Sequence, residues 1–362
     1  MERADNLERF EWHAAASSAH VGAGAPVFAC AALLVVGTAA LLAGWMPLRF
    51  SIVTVFLFAG PHNWFELRYF IARLPARLGR SRNFFCVAFA GIAFLLAAYA
   101  ALPLLGHALV WTGDEWTLAL GVWNSLLILW LASLVWMRGR QTPRRRDWSW
   151  SFAAACALIA ANWLAPQMFS LALVYLHPLV ALWFLERQLR RTRPGWLRAY
   201  HLCLAFVPLC VGLLWWQLAD APALASSVVE SAGGGDALAL RITRHAGANL
   251  LTGVSSHLLV STHVFLETIH YGVWLLALPL AASTMGGARR RDVPWRISSL
   301  PLVRRTERSW PRLIRTALVL AAVCVVLLWL AFLADYSTTR DLYFTLAMAH
   351  VLAEAPFLLR ML

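Results

Sequence analysis

Apolar runs of bilayer-spanning length recur along the whole chain, at 27–46, 50–72, 84–105, 116–137, 149–165, 167–186, 199–218, 262–283, 316–334 and 341–360. About 20 residues rising 1.5 Å each cross a hydrocarbon core of about 30 Å, so each run predicts a membrane helix. The predicted fold is all-α: a polytopic bundle of ten transmembrane helices, with residues 1–362 forming one integral-membrane domain. There is no fixed-period repeat and no polar stretch large enough for a soluble module. Arginine alternates between the polar connections. Arg73, Arg77, Arg80 and Arg82 follow the second run, residues 138–146 and 187–198 carry further clusters, and 284–315 is a long basic loop. Residues 106–115 and 165–167 contain no arginine. The positive-inside rule then puts both termini, the N-terminal segment 1–25 and the 284–315 loop in the cytoplasm. It puts 219–248, with its Gly233-Gly234-Gly235 run and acids Asp220, Glu230 and Asp236, outside as a loop with short helical pieces. Residues 249–262 read as an interfacial helix leading into the eighth span.

Composition sharpens this picture. Sixty per cent apolar residues, 14% charged residues and a mean hydropathy of +0.64 exclude an ordinary soluble domain. The net charge of +13 comes from 31 basic residues, all arginine, gathered in short loops where they report topology and contact with anionic lipid. A nucleic-acid partner is not expected, because no folded reading module accompanies them. Cys30, Cys86, Cys156, Cys203, Cys210 and Cys324 all lie in apolar runs without C-x-x-C spacing, as small buried hydrophobes rather than a disulfide or zinc framework. The N-terminus, with Glu2, Asp5, Glu8 and Glu11, lacks the basic region of a signal peptide, so the first run is expected to remain as a helix.

Within the apolar runs one chemical pattern stands out. His62/Glu66, His263/Glu267 and His350/Glu354 are each a histidine followed four residues later by a glutamate, and four residues place both side chains on one helix face. Ionisable groups in lipid are costly and mark function by default. Under the predicted topology the three helices run the same way. His62 and His350 reach similar depth, and His177 on the sixth run joins them. His270 follows Glu267 by three residues, a spacing used in carboxylate-bridged di-iron bundles.

Imidazole with carboxylate from several helices suits a first-row transition metal, with neutral nitrogen ligands and glutamate balancing the cation. The expected ligands are His62, Glu66, His177, His263, Glu267, His270, His350 and Glu354. They would hold one or two irons, ahead of zinc, copper or manganese; a catalytic zinc needs only three protein ligands. Two irons bridged by glutamates, or one ion on histidines with glutamates behind them, account for this set equally well. Removing His263 or Glu267 is expected to empty the site. Tyr271, Asn63 and Arg68 stand beside the pairs as candidate supporting groups. His107, His201, His245 and His257 read as hydrogen-bonded packing groups, and His13 and His20 as solvated.

The histidines spread over several spans resemble the histidine-rich integral-membrane iron oxygenases. Within that class Gly60-Pro61-His62-Asn63-Trp64-Phe65-Glu66 is similar to the early helix of the Brp/Blh-type carotene-cleaving dioxygenases, which carries Pro-His followed by an acid. Here the acid is glutamate rather than aspartate, and Asn63 stands where that family has glycine. The H-x-x-x-H and H-x-x-H-H boxes of desaturases are absent. The resemblance implies an iron-dependent oxygenase acting on a lipid-soluble substrate, served by an electron donor if the chemistry needs one. The expectation is a multi-pass protein of a bacterial inner membrane that oxidises, cleaves or hydroxylates such a substrate in the bilayer. The alternative is a proton- or cation-coupled transporter in which the same pairs relay charge.

Overall fold

The computed structural model describes residues 24–74, 79–141, 147–224, 235–282 and 310–361. The N-terminal segment and most of the basic 284–315 loop lie outside them. The described chain is helical throughout: α1 (Ala25–Trp45), α2 (Pro47–Arg73), α3 (Arg82–Ala108), α4 (Gly113–Gln141), α5 (Trp150–Leu164), α6 (Pro166–Thr192), α7 (Leu197–Leu218), α8 (Gly235–His245), α9 (Ser256–Gly272), α10 (Trp310–Ala334) and α11 (Tyr336–Met361). α9 continues through a π-helical turn, Val273–Ala277, into a last helical turn, Leu278–Ala282. All ten apolar runs are helices, and α8 is a short helical piece within the 219–248 connection. Residues 256–262 belong to α9 itself, so no separate interfacial helix precedes the eighth span.

This is an all-α polytopic membrane bundle. Among the described residues, eight helices are long and apolar enough to cross a membrane, with mean hydropathy from 1.5 to 2.9 over their most apolar windows. α2 and α5 are the two predicted spans outside that set, for different reasons. α2 is 27 residues long but carries His62 and Glu66, buried inside the bundle, and Arg49 and Arg68, which are exposed and half-buried respectively. α5 has only 15 residues, about 22 Å at 1.5 Å per residue. The surrounding helices turn leucine, valine and tryptophan outward, as lipid requires; α10 has only 11% of its apolar window buried, against 61% for α9. Cys30, Cys86, Cys156 and Cys324 share that outward surface, and only Cys203 and Cys210 are buried, which corrects the expectation that all six are buried.

Arginine-bearing ends of α2, α4, α6 and α11 meet at one end of the bundle. Arg73 hydrogen-bonds Gln188 of α6, Arg360 donates to the Arg73 carbonyl, and Arg138 Nε donates to the Leu359 carbonyl at 3.0 Å. Above them lies an aromatic floor of Phe70, Phe84, Phe85, Phe184, Trp274 and Phe357, with Phe70 and Phe357 stacked at 4.3 Å. At the opposite end α8 packs on α9, and Arg241 of α8 pairs with Asp341 of α11. There Asp335 accepts the Thr338 backbone N–H at 3.1 Å, and its hydrogen bonds to Thr338 hold its carboxyl below the usual aspartate range.

Short α5 is held to α4 by a polar lock. Asn124 Nδ2 donates to Asn162 Oδ1 at 2.8 Å and to the Pro166 carbonyl at 3.1 Å, and Asn162 Nδ2 donates to the Gly121 carbonyl at 2.9 Å. Both asparagines are fully buried, so each lost partner leaves a polar group with no water to turn to. Asn162→Ala is expected to destabilise the protein by about 1–3 kcal/mol, read as a lower midpoint in a thermal melt of purified protein. An unchanged midpoint would show that the lock contributes nothing.

Candidate metal centre

Four helices, α2, α6, α9 and α11, converge on a buried cluster, and each carries a backbone irregularity beside its functional residues. Pro61 precedes His62, Pro178 follows His177, Pro356 lies two residues after Glu354, and the π-helical turn begins three residues after His270. Proline removes one helical N–H and frees the carbonyl four residues back, and π turns recur at functional sites because they re-aim side chains.

Two groups of side chains have potential ligand atoms within 4.8 Å of one another: His62, Glu66, His270 and His350, and His177, His270 and Glu354. His270 belongs to both, so six of the eight expected ligands form one cluster. The four imidazole rings lie 4.7 to 6.0 Å apart by centroid wherever they face one another. Two of them are held from behind through Nδ1. His62 Nδ1 donates to the Phe58 carbonyl at 3.1 Å, which leaves Nε2 as a bare acceptor. His177 Nδ1 lies 3.1 Å from Glu354 Oε2, so it donates there and its Nε2 is also a lone pair. That nitrogen faces His350 Nε2 at 3.3 Å. The two nitrogens are within hydrogen-bond distance of one another and close enough for one ion to bind both.

His62 Nε2, both ring nitrogens of His270, His350 Nδ1, both oxygens of Glu66 and Glu354 Oε1 are buried with no hydrogen-bond partner. Glu66 is 1% exposed and Glu354 2%, and the two repel one another across the cluster. Among the described residues, the electrostatic neighbour of Glu66 is that second carboxylate rather than an arginine. Each unpartnered buried polar atom costs about 1–3 kcal/mol, and a carboxylate more. A cation bound by the nitrogens and balanced by the acids would remove most of these costs together.

His263 and Glu267 are in neither group. They stand outward along α9 in a second polar cluster: His263 Nδ1 lies 3.9 Å from Glu267 Oε2, and Tyr271 donates to Glu267 Oε1 at 2.6 Å. His245 of α8 faces His263 edge-on at 5.0 Å, and Tyr343 and buried Arg340 complete the surroundings. Tyr271 also packs its ring 4.6 Å from His62, so it joins the two clusters. Asn63 lies beside Tyr343, and Arg68 sits over the Trp64 ring at 5.8 Å. His257 donates to the Gly44 carbonyl at 2.9 Å, the packing role expected of it, and His201 sits beside Glu186 at the surface. His245 and Arg340 are the residues that sequence reasoning missed. Both lie near helix ends, where spacing within one helix carries no signal about a neighbour.

Both clusters open into one cavity of about 430 Å³. Its far wall is apolar, built from Tyr99, Leu120, Trp123, Leu127, Trp130 and Leu173. Trp123 and Trp130 donate their indole N–H groups away from it, to the Leu95 and Val87 carbonyls of α3, so they offer the cavity only ring faces. Compared with known proteins, the chain matches no family model, no curated relative and no solved structure.

Proposed function

We propose that the protein is a membrane-embedded, metal-dependent oxidoreductase of the oxygenase type, acting on a lipid-soluble substrate through one iron held by His62, His177, His270 and His350. The observation that carries this reading is the convergence of buried, unpartnered imidazole nitrogens around two carboxylates. Glu354 orients His177, and Glu66 supplies balancing charge. Nitrogen-rich sites of this kind suit iron among the available first-row metals, with zinc, copper and manganese as alternatives separated by metal analysis. Iron in such a site supplies a redox centre for oxygen chemistry. The chain's own residues then receive a largely apolar molecule beside the histidines, in a cavity whose far-wall tryptophans turn their N–H groups away from it.

The arginine-bearing end of the bundle supports a cytoplasmic orientation for that end, in a bacterial inner membrane, with α8 on the outer side. A substrate dissolved in the bilayer would reach the cavity without crossing water.

An oxygenase needs a coordination position that protein ligands leave open. The ferrous-loaded protein, exposed to nitric oxide under anaerobic conditions, is expected to give the electron paramagnetic resonance signal of an iron–nitrosyl complex. Bound iron with no such signal would contradict the oxygenase reading.

A further inference from the structure

Glu267 is 7% exposed, lines the cavity, and has one oxygen satisfied and one not. Tyr271 O–H donates to Oε1 at 2.6 Å, whereas Oε2 has no donor, the His263 Nδ1 beside it lying 3.9 Å away. A carboxylate accepts hydrogen bonds and cannot offer one, so the missing partner is a donor. That argues against a carbonyl, an ether or a second carboxylate at this point. Arg340, 3% exposed, acts electrostatically on Glu267 and balances its charge, so Oε2 suits a neutral donor rather than an ammonium group.

We propose that Glu267, flanked by Tyr271 and His263, is a head-group subsite that takes the hydroxyl of an otherwise apolar substrate. This deepens the functional reading above and rests on its treatment of the cavity as the substrate site. Along α9, Glu267 stands three residues outward of His270, about 4.5 Å at 1.5 Å per residue. A hydroxyl anchored there places the first carbons of the attached chain beside the histidine cluster, with the rest of the chain against the Trp123 and Trp130 ring faces. The subsite thus sets which carbon meets the metal ligands, by its distance from the head group.

The test uses the full chain in lipid nanodiscs and a matched pair of probes, tritiated farnesol and farnesyl methyl ether, which share a hydrocarbon and differ in the donor. Wild type is expected to bind farnesol about tenfold more tightly than the ether, the effect of one hydrogen bond to a charged group. In Glu267→Gln the side-chain carbonyl is already engaged by Tyr271, and the preference should shrink to about twofold or less. Gly91→Ala provides the second variant. A Cβ there would clash with the Trp130 indole, displacing a ring that lines the cavity and breaking its hydrogen bond to the Val87 carbonyl, so both probes should weaken while their ratio holds. Equal affinities in wild type, no binding of either probe, a preference that survives Glu267→Gln, or wild-type binding by Gly91→Ala would each overturn the proposal. Metal content measured on the same samples reports on the metal centre separately, because the binding ratio can be read with or without a bound ion.

Discussion

Replacing His177 and His350 together by alanine is expected to remove the metal from the purified protein, to less than about a tenth of the wild-type content, while the variant still inserts in the membrane. The two Nε2 atoms lie 3.3 Å apart, close enough for one ion to bind both. Removing both takes away half of the imidazole set, and each lost nitrogen–metal bond lowers affinity by orders of magnitude in such sites. The side chains left behind are smaller, and the helices that carry them, α6 and α11, are anchored elsewhere: α6 by Tyr200 O–H donating to the Leu182 carbonyl at 2.7 Å, and α11 by Phe357 stacked on Phe70. Insertion is therefore separable from metal retention. His263→Ala is the matched control. It removes a buried histidine from the same cavity without touching either ligand group, and the metal should stay.

Glu354→Ala is expected to lower metal affinity about 10- to 100-fold, measured by competition with a chelator of known affinity, because a carboxylate behind a ligating histidine fixes its tautomer and raises its basicity. In the metal-free protein the same change takes from His177 Nδ1 its acceptor at 3.1 Å, so a lower melting midpoint is expected there as well. A structural His177–Glu354 pair with no metal role predicts that lower midpoint with no change in metal binding.

The helix spacing of His62/Glu66 and His350/Glu354 was legible in the sequence because period and depth are properties of one helix. What it did not reveal is how the members recombine. Glu354 turns to His177 on α6, whereas His350 joins His62 and Glu66 of α2, so the His350/Glu354 pair is divided between the two ligand groups while His62/Glu66 stays together in one. That depends on the rotation of each helix about its own axis, which packing sets. The separation of His263 from the cluster, by contrast, lay within reach of sequence reasoning. Seven residues at 1.5 Å put it about 10 Å along the axis from His270, too far for both to bind one ion. His245 follows from no pattern, since its approach to His263 arises from the packing of α8 on α9. The ten apolar runs all became helices, and α5 was the least secure among them because its 15 residues rely on the asparagine lock to α4.

Metal analysis by mass spectrometry of detergent-purified protein, with the His177→Ala/His350→Ala and His263→Ala variants prepared in parallel, tests the central claim most directly. The account predicts iron near one atom per chain in wild type and His263→Ala, and its loss in the double variant. Wild type without metal, or a double variant that keeps the wild-type content, would contradict it.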